Sequence, residues 1–346
     1  MNHQRQGLYQ NQIKWIAIIA MTLNHIAHTL IYPGLVTAEI SFSLRPELAW
    51  GNRYARMWIW YEVLKDIGLM TAPIMMVFLC EGYRYTRRLV RYFLRLLVAG
   101  VVAEPGFFLM NGWGYDMMFT LAILLAVVWV LRADIRYGKV SDEQYIEMQE
   151  YALKDGDKRV YGDGNLCRNF NRVLYKCENW LRFTFSGKVI AISLLYAASL
   201  YCDWNVISVP FIVLICQAMT SDGWDKKKLG KMFLCCIAVF FLTSLGGPEE
   251  ISALHVLDIL GETLGVSVGF ALIYFLYNGQ REPVSDSDGI AEKEISALGM
   301  QAMGMSDVKR SRRFESWFNK YWFYIYYPLH IYVLVILRQL LYPIYI

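Results

Sequence analysis

Long apolar stretches alternate with short polar ones along most of the chain. The stretch from Trp15 to Ala38 contains no Asp, Glu, Lys or Arg. A helix that crosses a membrane needs about 20 mostly apolar residues. The pattern therefore predicts an all-α, polytopic helical membrane protein with about nine transmembrane helices. The predicted spans are Trp15–Ala38, Ile67–Cys80, Leu89–Met110, Met117–Leu131, Val189–Cys202, Trp204–Ser221, Met232–Pro248, Thr263–Gln280 and Tyr321–Leu337.

The composition agrees with this class. Of the 346 residues, 56% are hydrophobic and 18% are charged, whereas a soluble domain carries about 25% charged residues. The apolar content excludes disorder over most of the length, and 7 cysteines are too few for a disulfide scaffold. The first span contains Asn24, His25 and His28 and lacks a small-residue cleavage site, so we interpret it as a retained helix rather than a signal peptide.

Basic residues gather in alternate loops, after the second, fourth, sixth and eighth spans, whereas the loops between them carry acidic residues such as Asp116 and Asp203. The positive-inside rule then predicts a cytoplasmic N-terminus and an external C-terminus. Orientation and lipid headgroups account for the net charge of +4. The predicted partner is therefore the lipid bilayer, and no nucleic acid is expected.

We predict a single unit over residues 1–346 that contains three distinctive segments. Residues 36–66 form an outer loop in which Tyr54, Met57 and Tyr61 share one apolar face, as in a helix that lies in the interface. Residues 132–187 form a cytoplasmic insertion with a basic amphipathic stretch. Residues 281–319 are polar and are predicted to form a cytoplasmic linker.

Ionisable side chains within spans are costly and usually functional. The first span holds Asn24, His25 and His28, and the last holds His330 after Pro328. Histidines from the first and last spans can converge on one site. The alternative is that each histidine is a separately satisfied structural residue.

Cations and anions occupy opposite predicted sides. The inner side offers five arginines, whose planar guanidinium groups suit phosphate; ordinary anchoring of the inner loop is the alternative, although it accounts poorly for the deeper Arg95. They are Arg84, Arg87, Arg88, Arg91 and Arg95. The outer side offers Glu104, Asp203, His255 and Asp258, which would attract an ammonium group or simply reflect charge bias at the rim. No cysteine or histidine spacing predicts a metal site.

This distribution suits transfer of a group from a cytosolic phosphorylated donor to a cationic acceptor outside. It also suits a proton-coupled small-molecule transporter, although two related halves are not evident. A non-catalytic membrane accessory protein is a third possibility.

Several segments resemble a known family. Ile13–Ile26 resembles the opening motif of TraX-type proteins, Glu81–Arg87 and Tyr92–Leu96 resemble their central motif, and Lys320–His330 resembles their closing motif. Weaker blocks are Glu104-Pro105, Phe119-Thr120-Leu121 and Asp203-Trp204. The chain departs from the family at Asn24, where Asp is usual, and at Leu69, where Arg is usual.

The resemblance implies an integral membrane acetyltransferase of the bacterial plasma membrane, with acetyl-CoA as donor and an amine on a membrane peptide, such as a pilin N-terminus, as acceptor. By this resemblance we expect an acetyl-CoA-dependent N-acetyltransferase, and from the cysteine and histidine spacing we expect no metal. The family is distantly akin to acyltransferases that modify glycans, so O-acyl transfer to a glycan or lipid stays an alternative.

Chemical roles follow for the candidate residues. An α-amine has a pKa of about 7.7–8.0 and needs a base, for which histidine is suited. The catalytic candidates are His25 and His330, with His28 beside them and Asn24 orienting an imidazole or donating to the oxyanion. The five arginines would hold the CoA phosphates, and Glu104, Asp203, Asp258 and His255 would attract the acceptor. Direct transfer and transfer through an acetyl-imidazole are both open.

Overall fold

The structure is a computed structural model of the whole chain. It describes residues 7–36, 51–86, 88–112, 114–132, 184–221, 223–246, 253–279 and 304–342. Within these residues the chain is all-helical, as predicted, and the extended contacts are isolated bridges between loops.

Ten α-helices make up the described chain. They are α1 (Gln10–Ile26), α2 (Gly51–Leu69), α3 (Thr71–Tyr85), α4 (Leu89–Asn111), α5 (Met117–Leu131), α6 (Phe185–Ser199), α7 (Asn205–Gln217), α8 (Lys226–Leu245), α9 (Ala253–Ala271) and α10 (Gly304–Leu341). Two π-helical turns, Ala27–Ile31 and Leu272–Leu276, extend α1 and α9.

Six helical segments of the described chain are long and apolar enough to cross a membrane. They are Gln10–Val36, Arg56–Tyr85, Leu89–Met110, Lys226–Leu245, His255–Leu276 and Tyr321–Leu341. Three further apolar helices, α5, α6 and α7, are shorter. Each of these nine segments overlaps one predicted span, and the six long ones indicate a multi-pass membrane protein.

The second span begins earlier than the sequence predicted. The prediction started it at Ile67 and placed 36–66 in an outer loop, but α2 is helical from Gly51 and runs almost directly into α3 through a turn at Met70. Tyr61 is buried and packs with the end of α1, with Met57 beside it. Burial against α1 therefore explains the apolar face of this segment, and residues 37–50, including Trp50, lie outside the described residues.

Capping residues fix where several helices begin and end. The Asp116 side chain accepts hydrogen bonds from Met118 N and Phe119 N, which satisfies two free donors at the start of α5. Gly112 takes the left-handed conformation, with a φ of 79°, and ends α4. These two residues therefore mark the end of α4 and the start of α5.

Three glycines let α9 approach the second span closely. Gly261, Gly265 and Gly269 are spaced four residues apart on one face of α9. The hydrogen atoms of these glycines face Asp66 and the backbone of Met70, where any Cβ would collide. Small residues at this spacing allow two membrane helices to pack backbone to backbone.

The loops lie at two opposite ends of the helix bundle. At one end, the Glu81 carboxylate accepts hydrogen bonds from Gln10 Nε2, Trp224 Nε1 and Tyr277 OH at 3.2, 3.0 and 2.7 Å. At the other end, Tyr115 N donates to Tyr201 O, and the loops at 112–116 and 200–204 are joined. The described basic segments after the second, fourth and sixth spans share the Glu81 end, which is the alternation that the charge pattern predicted.

Two predicted segments are described only in part. The insertion 132–187 lies outside the described residues except at its two ends. Within the predicted linker 281–319, helix α10 begins at Gly304 and continues without a break into the last span. The stretch from Gly304 to Lys320 is rich in helix formers and contains no proline, so helix can extend through it despite its polarity.

Candidate functional site

The imidazoles of the first and last spans meet in the protein interior. His25 Nδ1 and His330 Nε2 are 2.7 Å apart, and the two rings are nearly parallel, with an interplanar angle of 8° and centroids 4.9 Å apart. Both side chains are buried. The structure thus brings together the two histidines that the sequence predicted to converge.

A hydrogen bond from His330 to the backbone determines which nitrogen of each imidazole ring carries the proton. His330 Nδ1 lies 3.0 Å from the carbonyl oxygen of Tyr326, and because a carbonyl only accepts, this nitrogen donates. A neutral His330 then accepts at Nε2, so His25 Nδ1 is the donor between the rings. The lone pair of His25 Nε2 is left without a hydrogen-bond partner among the described residues. His25 Nε2 is therefore the nitrogen available to take a proton.

Helical spacing explains why the rings meet. Thr22 and His25 lie three residues apart on one face of α1, and Tyr326 and His330 lie four apart on one face of α10. The hydroxyls of Thr22 and Tyr326 are 2.7 Å apart, which fixes the register of the two helices one turn below the imidazoles. The π-helical turn Ala27–Ile31 follows directly, and such turns often occur at functional sites.

Tyr327 connects the histidine pair to the start of α5. Its ring contacts His330 edge-on at 5.7 Å between centroids and His25 at 6.4 Å. Its hydroxyl accepts a hydrogen bond from Met117 N at 3.3 Å. The residue before Met117 is Asp116, so a fully buried tyrosine separates the imidazoles from a carboxyl group.

Asp116 forms an acidic cluster with two of the predicted acceptor-binding residues, Glu104 and Asp203. Burial is the main cause that raises the pKa of Asp116 to about 8, and the neighbouring charges of Glu104 and Asp203 act in the same direction. Burial also raises the pKa of Asp203 to about 6, against the effect of a hydrogen bond from Trp204 N. This cluster lies at the bundle end opposite Glu81.

The other two predicted acceptor-binding residues lie elsewhere, with Lys65. The Lys65 ammonium is 2.5 Å from Asp258, 2.7 Å from Glu62 and 3.3 Å from Glu262, and only 11% of the Lys65 side chain is exposed. His255 stands three residues before Asp258 on α9. The sequence predicted that this acidic face of α9 would attract an ammonium group from outside, but the protein's own lysine occupies it.

Asn24 and His28 face this lysine cluster rather than the histidine pair. Asn24 Nδ2 donates to the carbonyl of Lys65 at 3.2 Å. The His28 ring packs edge-on against Tyr61, with centroids 5.5 Å apart. The first span thus directs Thr22 and His25 toward α10, and Asn24 and His28 toward α2.

The predicted donor-binding arginines lie around the turn between α3 and α4. The Arg84 guanidinium stacks over the ring of Tyr85, and its buried Nη1 has no hydrogen-bond partner among the described residues. Arg88 precedes the first turn of α4, and Arg91 is exposed. Arg87 lies outside the described residues. A buried guanidinium nitrogen without a partner fits an anionic group such as a phosphate.

Arg95 is set apart from these arginines. Its guanidinium lies 5.6–5.7 Å from the ring centroids of Tyr92, Tyr321 and Tyr324. Its Nε donates to the backbone carbonyl of Arg91. Among the described residues no carboxylate lies within ion-pair distance of it.

Sequence reasoning missed Lys65 and Tyr327 as members of polar clusters, and it named Asp116 only as a loop residue. Tyr327 stands in the closing motif beside His330, which is a usable signal. Lys65 gave no such signal, because its partner Asp258 is 193 positions away along the chain.

Comparison with known proteins agrees with the resemblance found in the sequence. The TraX protein family matches residues 9–146. The chain is also 26% identical over 207 residues to a probable fimbrial assembly protein FimC, serogroup H1, of Dichelobacter nodosus. That match covers 59% of this chain and 60% of the relative, which is less than two thirds of its length. No solved structure matches the chain. Residues 9–146 therefore match the TraX family, in agreement with the resemblance.

Proposed function

We propose that the protein is a membrane-embedded acetyltransferase. It moves an acetyl group from cytosolic acetyl-CoA to an amine, such as the N-terminus of a pilin-like peptide, at or beyond the outer face of the membrane. The observation that carries the proposal is the buried His25–His330 pair, with one imidazole nitrogen left to accept a proton. The TraX match and the fimbrial assembly relative support the acceptor class.

The chemistry follows from the tautomers. The acceptor amine nitrogen attacks the thioester carbonyl, a C–N bond forms, and the C–S bond breaks. His25 Nε2 takes the proton that leaves the amine and passes it to the departing CoA thiolate. His330 holds His25 in the right tautomer and disperses the positive charge toward the Tyr326 carbonyl.

The donor side rests on the arginines at the turn between α3 and α4. We propose that Arg84, Arg87, Arg88 and Arg91 hold the CoA phosphates, with the partnerless Arg84 Nη1 as the deepest contact. Acetyl-CoA is the donor substrate, and it supplies an activated acetyl group on a thiol leaving group. In this proposal the shorter α5, α6 and α7 also cross the membrane, which gives nine spans in a bacterial plasma membrane, an N-terminus in the cytoplasm and a C-terminus outside.

The acceptor side rests on the acidic cluster at the opposite bundle end. We propose that Glu104 and Asp203 attract a protonated amine beside Asp116, and that Tyr327 leads from this cluster to the imidazoles. We propose that His255 and Asp258 act only at the rim, because Lys65 already neutralises part of their face. We propose that Asn24 and His28 hold the first span in position through their contacts with α2.

Acetyl transfer across sealed membranes tests the proposal. Inside-out vesicles that contain the full chain are given labelled acetyl-CoA on the cytoplasmic side and a peptide with a free α-amine in the lumen. We expect label on this peptide but not on the same peptide with a blocked N-terminus. Label on a luminal glycan instead would favour O-acyl transfer, and uptake of a solute without any acetylation would favour a transporter. Either result would overturn the proposed activity.

A further inference from the structure

A groove between α4 and α10 has no role in the acetyl transfer described above. Its volume is about 610 Å³, within the roughly 300–1,000 Å³ that small-molecule sites usually have. Leu94, Val98 and Val102 line it from α4, and Ile325 and Leu329 line it from α10. The imidazole of His330 lies outside this lining, on another face of α10.

The groove walls are apolar and open sideways. Val98 is 62% exposed, and Leu94, Val102, Ile325 and Leu329 are exposed as well. Both helices belong to segments long and apolar enough to cross a membrane, so these walls face the hydrocarbon of a bilayer. An acyl chain can therefore enter laterally, without passing through water.

One end of the groove carries a positive charge. Arg95 is part of the lining, and its guanidinium lies 5.7 and 5.6 Å from the ring centroids of Tyr321 and Tyr324. At the other end, the Tyr332 hydroxyl donates to the Val102 carbonyl at 2.8 Å and ties the two helices together. The groove thus has apolar walls along its length and one positively charged end.

We propose that this groove binds an anionic phospholipid, with one acyl chain between α4 and α10 and the phosphate on Arg95. Guanidinium groups bind phosphate with two parallel hydrogen bonds, and the tyrosine rings hold the guanidinium in place. Arg95 then serves a bilayer lipid rather than CoA.

Two other occupants fit less well. The pantetheine and adenine groups of CoA need several hydrogen-bonding partners when buried, but the lining offers only Arg95 and three tyrosines. The middle of a transmembrane helix rarely carries an anionic group, so a helix docked here would leave the Arg95 guanidinium in the lining without an anion.

Photolabelling in vesicles tests the proposal. The full chain is reconstituted in phosphatidylcholine with a trace of phosphatidylglycerol that carries a diazirine in one acyl chain, or with phosphatidylcholine labelled in the same way. After illumination, mass spectrometry counts adducts on residues 94–102 and 321–332. We expect phosphatidylglycerol to label these segments about tenfold more than phosphatidylcholine, as one charge-assisted contact would produce.

Three variants sharpen the result. Arg95→Gln should reduce labelling by phosphatidylglycerol to the phosphatidylcholine level. Arg91→Gln, the matched control one turn away and outside the groove lining, should keep the preference. Val98→Trp should fill the groove and lower labelling by both lipids.

Equal labelling by the two lipids in the native chain, or an equal loss in Arg95→Gln and Arg91→Gln, would overturn the proposal. Displacement of the lipid by CoA, or capture of a polypeptide by a crosslinker placed at Val98, would overturn it too. The readout does not depend on acetyl transfer, so failure of the proposed activity would leave the lipid result unchanged.

Discussion

His25 and His330 share a hydrogen bond of 2.7 Å although 305 positions separate them in the chain. Neither helix α1 nor helix α10 can form the pair alone. The protonation pattern is set by a backbone carbonyl of α10, so the tautomer of His25 depends on how the last helix is seated against the first. Small changes in the contact between α1 and α10 should therefore alter the rate of the proposed acetyl transfer.

The Thr22 hydroxyl should position the pair without taking part in proton transfer. Thr22→Val removes its contact with the Tyr326 hydroxyl while keeping the volume and branching of the side chain. We expect about a tenfold loss of kcat for acetyl transfer, as for one lost hydrogen bond, with little change in the KM for acetyl-CoA.

Two variants separate positioning from general damage. Thr22→Ser should restore most of the rate, because it restores the hydroxyl. Thr243→Val removes a hydroxyl that bonds only within α8 and should leave the rate unchanged. No rescue by serine would argue against a positioning role.

Lys65 should matter for stability more than for transfer. Lys65→Met leaves three partly buried carboxylates without their shared cation. Breaking a buried ion pair costs roughly 3–5 kcal/mol. Because the Asp258 side chain is 39% exposed, solvent screening reduces the expected loss to about 2–3 kcal/mol. Denaturant unfolding in mild detergent measures it, with the exposed Lys231→Met as the control. Equal stability of the two variants would contradict the role of Lys65.

Gly265 should be intolerant of even one methyl group. A Cβ at this position would collide with the backbone carbonyl of Asp66, which cannot move independently of α2. We expect Gly265→Ala to lower the free energy of unfolding by about 1–3 kcal/mol, the usual cost of overpacking. Gly246→Ala is the control, because the nearest atom to a Cβ there is 3.6 Å away. Similar unfolding midpoints for the two variants would contradict the close helix contact.

Asp116 should make the protein less stable as pH rises. Its pKa is raised to about 8 in the folded chain, mainly by burial, against about 3.9 when unfolded. The folded state therefore binds the extra proton between these values. The stability from this proton is complete below about pH 4 and is lost as the pH rises toward 8. Asp203, with a pKa of about 6, should add a decline in the same direction at the acidic end of that range.

Unfolding temperatures at pH 4 and pH 8 test this prediction. Asp116→Asn keeps a side-chain oxygen for the α5 cap and cannot ionise. Its unfolding temperature should therefore be higher than that of the native chain at pH 8 but not at pH 4. Asp116→Ala should lose about 1 kcal/mol at pH 4, because it removes the cap, and less than that at pH 8, where it also removes the buried carboxylate. Parallel pH profiles for the native chain and Asp116→Asn would contradict the shifted pKa.

The sequence predicted the helical class and the meeting of the two histidines for physical reasons. Long apolar runs indicate membrane spans directly. A histidine inside such a run costs so much free energy that it indicates a polar partner nearby. Their catalytic role stays a prediction. The Lys65 cluster could not be predicted, because one lysine before an apolar run looks like the end of a loop. The contact of α9 with Asp66 was not predicted either, because the spacing of the glycines does not show which helix packs against them.

We propose one main role for the histidine pair, the proton transfer of an acetylation reaction. Its most direct test is the rate of acetyl transfer from labelled acetyl-CoA to an amine peptide by the native chain, His25→Gln, His330→Gln and the control His3→Gln. Circular dichroism and unfolding temperature establish that each variant folds. We expect a loss of roughly 10²–10⁴-fold in His25→Gln, a smaller loss in His330→Gln and no change in His3→Gln. Full transfer by folded His25→Gln protein would contradict it.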